Sequence, residues 1–192
     1  VPILEDFIQE HPDFSYRGAR AIIPTTGEEG VFGYRINKSA IDTKGQEYYD
    51  EQVSGAKKIA DALRDAGYEI ACHTYSFMDY SQKNATEIKA DIDKWTSEIA
   101  TVIGTVDTLV YIRNTDIQSA GTYNTNKYNV LDEAGYFISG GSKSSANVTA
   151  DYVRQNRVTV SGTQMAHTAT MYTNFFDAKS VLNSQRGNVP QS

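Results

Sequence analysis

The sequence contains few of the residues from which disulfides and most metal sites are built. Among its 192 residues there are one cysteine, Cys72, and three histidines. A single cysteine excludes an intrachain disulfide and a cysteine-based zinc site. Apolar residues never continue for the roughly 18 positions that a membrane-spanning helix needs, so no such helix is expected in the printed sequence.

Basic residues are also in the minority. The chain has 18 lysines and arginines against 24 aspartates and glutamates, which gives a net charge of −6, and the basic residues do not cluster. Such a chain binds nucleic acid and anionic membranes poorly, so neither is an expected partner. With 40% hydrophobic and 22% charged residues the composition is that of a globular protein, and we expect one domain over residues 1–192.

Tyrosine, asparagine, serine and threonine are abundant instead. A polar chain with 13 tyrosines is typical of extracellular, carbohydrate-facing proteins, although half-buried tyrosines explain the count equally well. The first residue is Val1, which indicates a processed product, a trimmed chain or a fragment. No signal peptide is visible, and this does not bear on whether one was removed.

Amphipathic helices and short apolar strands alternate through the middle of the chain. The strongest helix has apolar residues at steps of three and four, at Ile88, Ile92, Trp95, Ile99, Val102 and Ile103. Two further helices are predicted at about residues 51–66 and 125–134, each followed by a glycine, which favours a helix C-terminus. Apolar runs predict the strands, at residues 19–24, 68–75, 108–112 and 136–139. This alternation predicts a parallel sheet, open or barrel-like.

The two ends of the chain differ from its middle. Apolar spacing predicts a helix near residues 3–8. Residues 152–160 are predicted to contain a strand, for which residues 158–160 are the first candidate, and residues 174–182 a closing helix.

In folds built from βα units, ligands approach the C-terminal ends of the strands. Residues 25–30, 73–79, 113–116 and 139–142 follow the predicted strands in this way. His73 is the only histidine among them, which makes it the first candidate for a site residue. The alternative is a buried strand histidine bonded to the backbone. Cys72 points to the opposite face and is expected in the core.

An ordered series of segments resembles a known family. The segments are residues 4–19, 27–35, 66–75, 93–95, 103–107 and 175–178. Together they resemble bacterial polysaccharide deacetylases of the nodulation-protein-B type, carbohydrate esterase family four, and more specifically a subgroup from gut Firmicutes. The likeness is carried by residues 3–138 and weakens after them.

The resemblance implies a distorted (β/α) barrel and a carbohydrate N-deacetylase. In such an enzyme an aspartate and two histidines hold a divalent metal, zinc or similar. The metal activates a water that attacks the acetamide of an N-acetylated glycan. The resemblance further implies a secreted or cell-surface bacterial protein, and we expect a monomer or weak oligomer.

The sequence departs from the family at the residues that carry this chemistry. The metal motif reads His73-Thr74-Tyr75-Ser76-Phe77. Phenylalanine has no lone pair to donate, so His73 is a remnant ligand. The family's pair of aspartates lies upstream of the residue-4 match, outside the printed sequence. Residues 111–116 correspond to a further motif of the family, its third. There Ile112 and Arg113 stand where the family has a proline and an aromatic residue.

Replacements for the lost groups are few. Asp79 and Asp116 lie near predicted strand ends, although loop aspartates are common for turn reasons alone. His167 is the one candidate for the family's late acid histidine. The predicted catalytic set is therefore His73, His167 and Asp116, and we expect no tightly held catalytic metal.

Three functions remain open. The first is a deacetylase-family domain that has lost its metal site, a pseudoenzyme that still binds glycans. The second is an active deacetylase whose first strand and aspartates precede Val1. The third is a glycan-binding or scaffolding module at the bacterial cell surface, with a sugar-stacking surface formed by Tyr75, Tyr80, Tyr111, Tyr123 and Arg113.

The family's first strand is absent from the printed sequence, so we expect an incomplete barrel with an exposed sheet edge. Residues 152–160 are expected to cover that edge.

Overall fold

Six strands form one sheet in the computed structural model, which describes residues 1–118, 121–141, 146–174 and 176–182. The strands are β1 (Ile22–Thr25), β2 (Glu69–Cys72), β3 (Thr108–Val110), β4 (Ile138–Gly141), β5 (Asn147–Val148) and β6 (Val153–Asn156). Their order in the sheet is β1-β2-β3-β4-β6-β5. Every pairing is parallel except that of β5 with β6.

Helices connect the parallel strands. They are α1 (Pro2–Glu10), α2 (Ser39–Lys44), α3 (Gln46–Asp65), α4 (Ala85–Lys94), α5 (Thr101–Ile103), α6 (Asn126–Glu133) and α7 (Gly162–His167). A π-helical segment, Trp95–Ala100, joins α4 to α5. Strands β1 to β4 are neighbours in the sheet in their chain order, as in a (β/α) barrel and unlike a doubly wound sheet. The predicted α/β fold of the deacetylase type is confirmed.

The core lies between the sheet and its helices. The predicted apolar face of the α4–α5 helix is confirmed, since Ile88, Ile92, Ile99 and Ile103 are at most 3% exposed. Trp95, on the same face, donates from Nε1 to the carbonyl of Thr25 at 3.3 Å. Cys72 is fully buried, as predicted, and burial raises the pKa of its thiol to about 12. None of the described helices is long and apolar enough to span a membrane.

A strand lies within residues 152–160, as predicted, but three finer predictions for the C-terminal part are wrong. Residues 158–160 are not a strand; β6 lies at Val153–Asn156 and pairs with β4, away from β1. β6 is polar, and its position is set by backbone pairing with β4 and not by its own apolar residues. It therefore does not cover the outer edge of β1, which pairs with no other strand among the described residues. The described part of residues 174–182 forms turns and no helix; Phe175 lies outside the described residues.

Candidate functional site

Backbone strain is concentrated at the C-terminal ends of β2 and β3. Among the described residues six non-glycine residues have a positive φ, and four lie in these two loops: Thr74, Phe77, Arg113 and Asn114. This conformation is unfavourable for residues with a Cβ, most of all for β-branched threonine. Such strain persists only where the surroundings enforce it, and it is frequent at functional sites. These two loops therefore form the candidate site.

His73 lies at the centre of this site. Its backbone N–H donates to Thr25 of β1 at 2.8 Å, and its Nδ1 is 2.5 Å from the carbonyl of Val110 in β3. Because a carbonyl only accepts, Nδ1 carries the proton and Nε2 keeps a lone pair. Burial and the charge of Arg157 lower the pKa of His73, against the opposing effect of the bond to Val110. The neutral imidazole is the form that ligates a metal or accepts a proton.

Phe77 stands beside His73, at the position where the resemblance places the family's second histidine. The two rings meet edge to face with centroids 5.8 Å apart. Phe77 is 52% exposed and supplies no ligand atom. It gives the site an exposed aromatic surface next to the imidazole.

Asp91 of α4 holds the loop that carries Phe77. Its Oδ2 accepts from the Tyr75 N–H at 2.7 Å and from the Tyr80 hydroxyl at 2.8 Å. Its Oδ1 accepts from the Ser76 N–H at 3.0 Å and from the Ser76 hydroxyl. Asp91 is only 4% exposed, so one buried carboxylate fixes the loop after β2. Asp91 was not among the predicted site residues, although it lies between Ile88 and Trp95 on the apolar face of the helix.

Tyr75 joins the loop after β1 to the loop after β2. Its carbonyl accepts from the N–H groups of Gly27 and Glu28, both at 2.9 Å, and its hydroxyl donates to Glu98 at 2.8 Å. A Cβ on Gly27 would lie 2.4 Å from the Tyr75 ring, so only glycine fits there. Burial and the bond to Glu98 raise the pKa of Tyr75 to about 12.

Tyr111 belongs to a buried hydroxyl network. Its hydroxyl lies 3.1 Å from that of Tyr123, which is 3.2 Å from the Ser139 hydroxyl, and burial raises the pKa of Tyr111 well above its usual value. The four tyrosines predicted to stack on sugar are at most 7% exposed: Tyr75, Tyr80, Tyr111 and Tyr123. They do not form the predicted stacking surface, because their rings pack in the core. Arg113, from the same predicted set, is exposed at the end of β3.

Asp116, predicted from the sequence as catalytic, lies instead in a buried ion pair. Its Oδ2 is 2.8 Å from Arg154 Nε, and the side chains are 1% and 5% exposed, respectively. Its Oδ1 accepts from the Tyr123 hydroxyl and the Gln118 N–H, each at 3.0 Å. With both oxygens engaged, the carboxylate fixes the loop after β3 and is not free to take part in catalysis.

Asp79 has a similar role between the two loops. Its Oδ1 accepts from the Ser81 N–H at 3.0 Å, the Ser81 hydroxyl at 2.7 Å and the Thr115 hydroxyl at 2.9 Å. Burial by itself raises the pKa of Asp79, but the bonds from Ser81 and Thr115 outweigh it and lower that pKa. Asp79 therefore connects the loops after β2 and β3.

His167 is exposed at the last residue of α7, a helix that the sequence reasoning did not predict. Its assignment as the acid histidine stays a prediction.

The donor atoms near His73 do not fit a resident metal. Among the residues that the structure describes, no three His, Cys, Asp or Glu side chains come together to hold an ion. Phe77 offers no ligand atom, and the carboxylates of Asp79 and Asp116 are already bonded to other residues. The positive charge of Arg157 also acts on His73 and lowers its pKa. A positive neighbour disfavours a bound cation. No catalytic step through a metal follows from these residues.

Acid is expected to destabilise the fold through His73. The pKa of His73 is lower in the folded than in the unfolded protein, so as the pH falls the unfolded state binds the proton first. The stabilisation is present above about pH 6.5, the ordinary pKa of histidine, and is lost as the pH falls through the folded pKa. Urea unfolding on both sides of that pH measures it. His73→Asn keeps an N–H for Val110 and does not titrate, so its free energy of unfolding is expected to fall less than that of the wild type as the pH is lowered. Equal falls in the two proteins would contradict the role of His73 in the acid sensitivity.

A crystal structure of a protein assigned as a polysaccharide deacetylase from Mycobacterium smegmatis superposes with a TM-score of 0.39 and 11% identity. The match covers 76% of this chain and 61% of that one. No curated protein matches the sequence.

The model of one family, polysaccharide deacetylase, matches residues 35–138, more than half of the 192-residue chain. This family acts on carbohydrates and is generally metal-dependent. The chain belongs to the polysaccharide deacetylase family.

Proposed function

We propose that this chain is a glycan-binding member of its family that does not deacetylate by the family's metal-dependent route. The observation that carries the proposal is Phe77, an exposed ring beside His73 where the family pattern requires a ligand. An exposed ring face suits the C–H surface of a sugar. It stands at the C-terminal end of a parallel strand, where ligands bind in such folds.

The residues around Phe77 support binding more than hydrolysis. Asp91 fixes the loop in one conformation, which reduces the entropy that a ligand would have to remove. His73 Nε2 supplies a polar group beside the ring, and the exposed Arg113 lies in the neighbouring loop after β3. Asp79 and Asp116, the carboxylates in the loops after β2 and β3, are already bonded within the protein.

The finer assignments are part of the same proposal. A place in a subgroup from gut Firmicutes is supported by the ordered series of matching segments between residues 4 and 107. A secreted or cell-surface location in a bacterium is supported by that resemblance and by the tyrosine-rich, polar composition.

An active deacetylase is the second candidate, since the His73 imidazole keeps its Nε2 lone pair. Titration with zinc, cobalt or nickel, followed by an assay for acetate release from chitooligosaccharides, separates the two candidates. Micromolar or tighter metal binding together with turnover would refute the binding-only function.

Phe77→Ala is expected to weaken binding of chitooligosaccharides by about tenfold, the loss of one stacked ring. Because the ring is exposed, the melting temperature is expected to change little. Binding is measured by isothermal titration or NMR. Phe14→Ala, which removes a 62% exposed ring from the N-terminal segment, is the matched control and should bind as the wild type does. Equal affinity of the Phe77 variant and the wild type would contradict the proposal.

A further inference from the structure

Arg157 reaches the candidate site from β6, an element that the sequence reasoning did not connect with it. Arg157 directly follows β6, and its N–H donates to the carbonyl of Gly141 at 2.7 Å. Its side chain then crosses the end of β4 and donates from Nη2 to the carbonyl of Tyr111 at 2.6 Å. A Cβ on Gly140 would touch the arginine at 3.4 Å from Cδ, so a larger side chain there would compete with it for this space.

His73 and Arg157 bond to successive carbonyls at the end of β3. His73 Nδ1 donates to Val110, and Arg157 Nη2 donates to Tyr111. Successive carbonyls of an extended chain point to opposite sides, so the imidazole and the guanidinium flank this end. The segment carrying Arg157 is also tied to the loop after β3, since Asn114 donates to the Thr159 hydroxyl at 2.7 Å.

The charge of Arg157 is not balanced within the described protein. No carboxylate forms an ion pair with it among the described residues, unlike Arg154 three positions earlier. Its Nε is buried and is the one described side-chain nitrogen or oxygen that is buried without a hydrogen-bond partner. Burial lowers the pKa of Arg157, as expected for a cation without a counter-ion. Such a group is costly to bury unless something pairs with it.

We propose that Arg157, across the end of β3 from His73 and beside the loop that carries Arg113, binds the acidic group of an anionic glycan. The inference rests on the proposed glycan-binding function and names the substrate class. The planar fork of arginine matches a carboxylate or phosphate, and Nη2 is already fixed by Tyr111. In a family that acts on carbohydrates, a uronate carboxylate on an N-acetylated glycan supplies the negative charge that the half-buried guanidinium lacks. It also leaves sugar C–H surface for Phe77.

Calorimetric titration of the whole chain tests this with four probes. Hyaluronan tetrasaccharide carries carboxylates and N-acetyl groups, chitotetraose carries only the latter, and glucuronate and inorganic phosphate represent free anions. The hyaluronan fragment is expected to bind at least about tenfold more tightly than chitotetraose. Arg157→Gln should abolish that preference, and Arg157→Lys, which keeps the charge without the fork, should keep part of it. Arg17→Gln, which removes an exposed arginine near the N-terminus, is the charge control and should keep all of it.

The outcomes separate the two proposals. Equal affinity of the wild type for the acidic and neutral tetrasaccharides overturns the anion subsite and leaves glycan binding standing. Failure to bind either tetrasaccharide overturns both. Binding of phosphate or glucuronate without the tetrasaccharide overturns the glycan as ligand. Should Arg157→Gln fail to fold, the preference of the wild type and the response of Arg157→Lys still decide.

Discussion

Replacing Arg154 with methionine is expected to lower the free energy of unfolding by about 3–5 kcal/mol, the cost of leaving one buried charge without its partner. The guanidinium contacts Asp116 at 2.8 Å and donates to the carbonyl of Gly121 at 3.0 Å and to that of Gln118. Its loss leaves a 1% exposed aspartate without its counter-charge and removes the guanidinium donors to two carbonyls. Urea denaturation followed by circular dichroism measures the change.

An exposed pair provides the matched control for this prediction. Arg35→Met breaks the ion pair between Arg35 and Glu29, whose side chains are 57% and 76% exposed. Less than about 1 kcal/mol should be lost there. The double variant Arg154→Met/Asp116→Leu should recover much of the loss, because two apolar groups replace two buried charges. Equal losses in Arg154→Met and Arg35→Met would show that the buried pair stabilises the protein no more than the exposed one.

Asp91→Asn is expected to destabilise the protein by about 2–3 kcal/mol, since an amide cannot accept all the bonds that the carboxylate accepts. Its nitrogen would face an N–H or hydroxyl donor from Tyr75, Ser76 or Tyr80. The loop after β2 should loosen as a result. Hydrogen exchange at the amides of Tyr75 and Ser76, followed by NMR, is expected to speed up more than exchange in β3.

Asp93 supplies the control, because it lies on the same helix and is exposed. Asp93→Asn breaks only a surface pair with Lys89, four residues away, and should cost about 0.5 kcal/mol or less. Unchanged exchange at the amides of Tyr75 and Ser76 in Asp91→Asn would show that Asp91 does not fix the loop after β2.

The helices and parallel strands were predictable because apolar spacing reports burial directly. Ile88, Ile92 and Ile99 recur at the steps that one buried helix face requires, and each is at most 3% exposed. A signal for the start of this helix was also present. Asn84 caps α4 and Glu87 returns a bond to its N–H, a reciprocal arrangement readable from the spacing of the two residues.

The candidate site was predictable only in part, because its groups are defined by partners and not by residue type. His73 could be found from its place after a strand. Asp116 and Asp91 are both buried carboxylates, yet nothing local in the sequence reveals that Arg154 or the loop after β2 binds them. β6 is polar and short, so Arg157 could be placed beside β3 only once the pairing of β6 with β4 was known.

The bond between Trp95 and the carbonyl of Thr25 gives the protein an intrinsic optical reporter. Trp95 is the single tryptophan of the sequence, and it is 2% exposed. The carbonyl that accepts its Nε1 proton also accepts the backbone N–H of His73. Its ultraviolet fluorescence therefore comes from one known environment, connected through the Thr25 carbonyl to the backbone of His73. Ligand titration and unfolding can both be followed on the unlabelled chain.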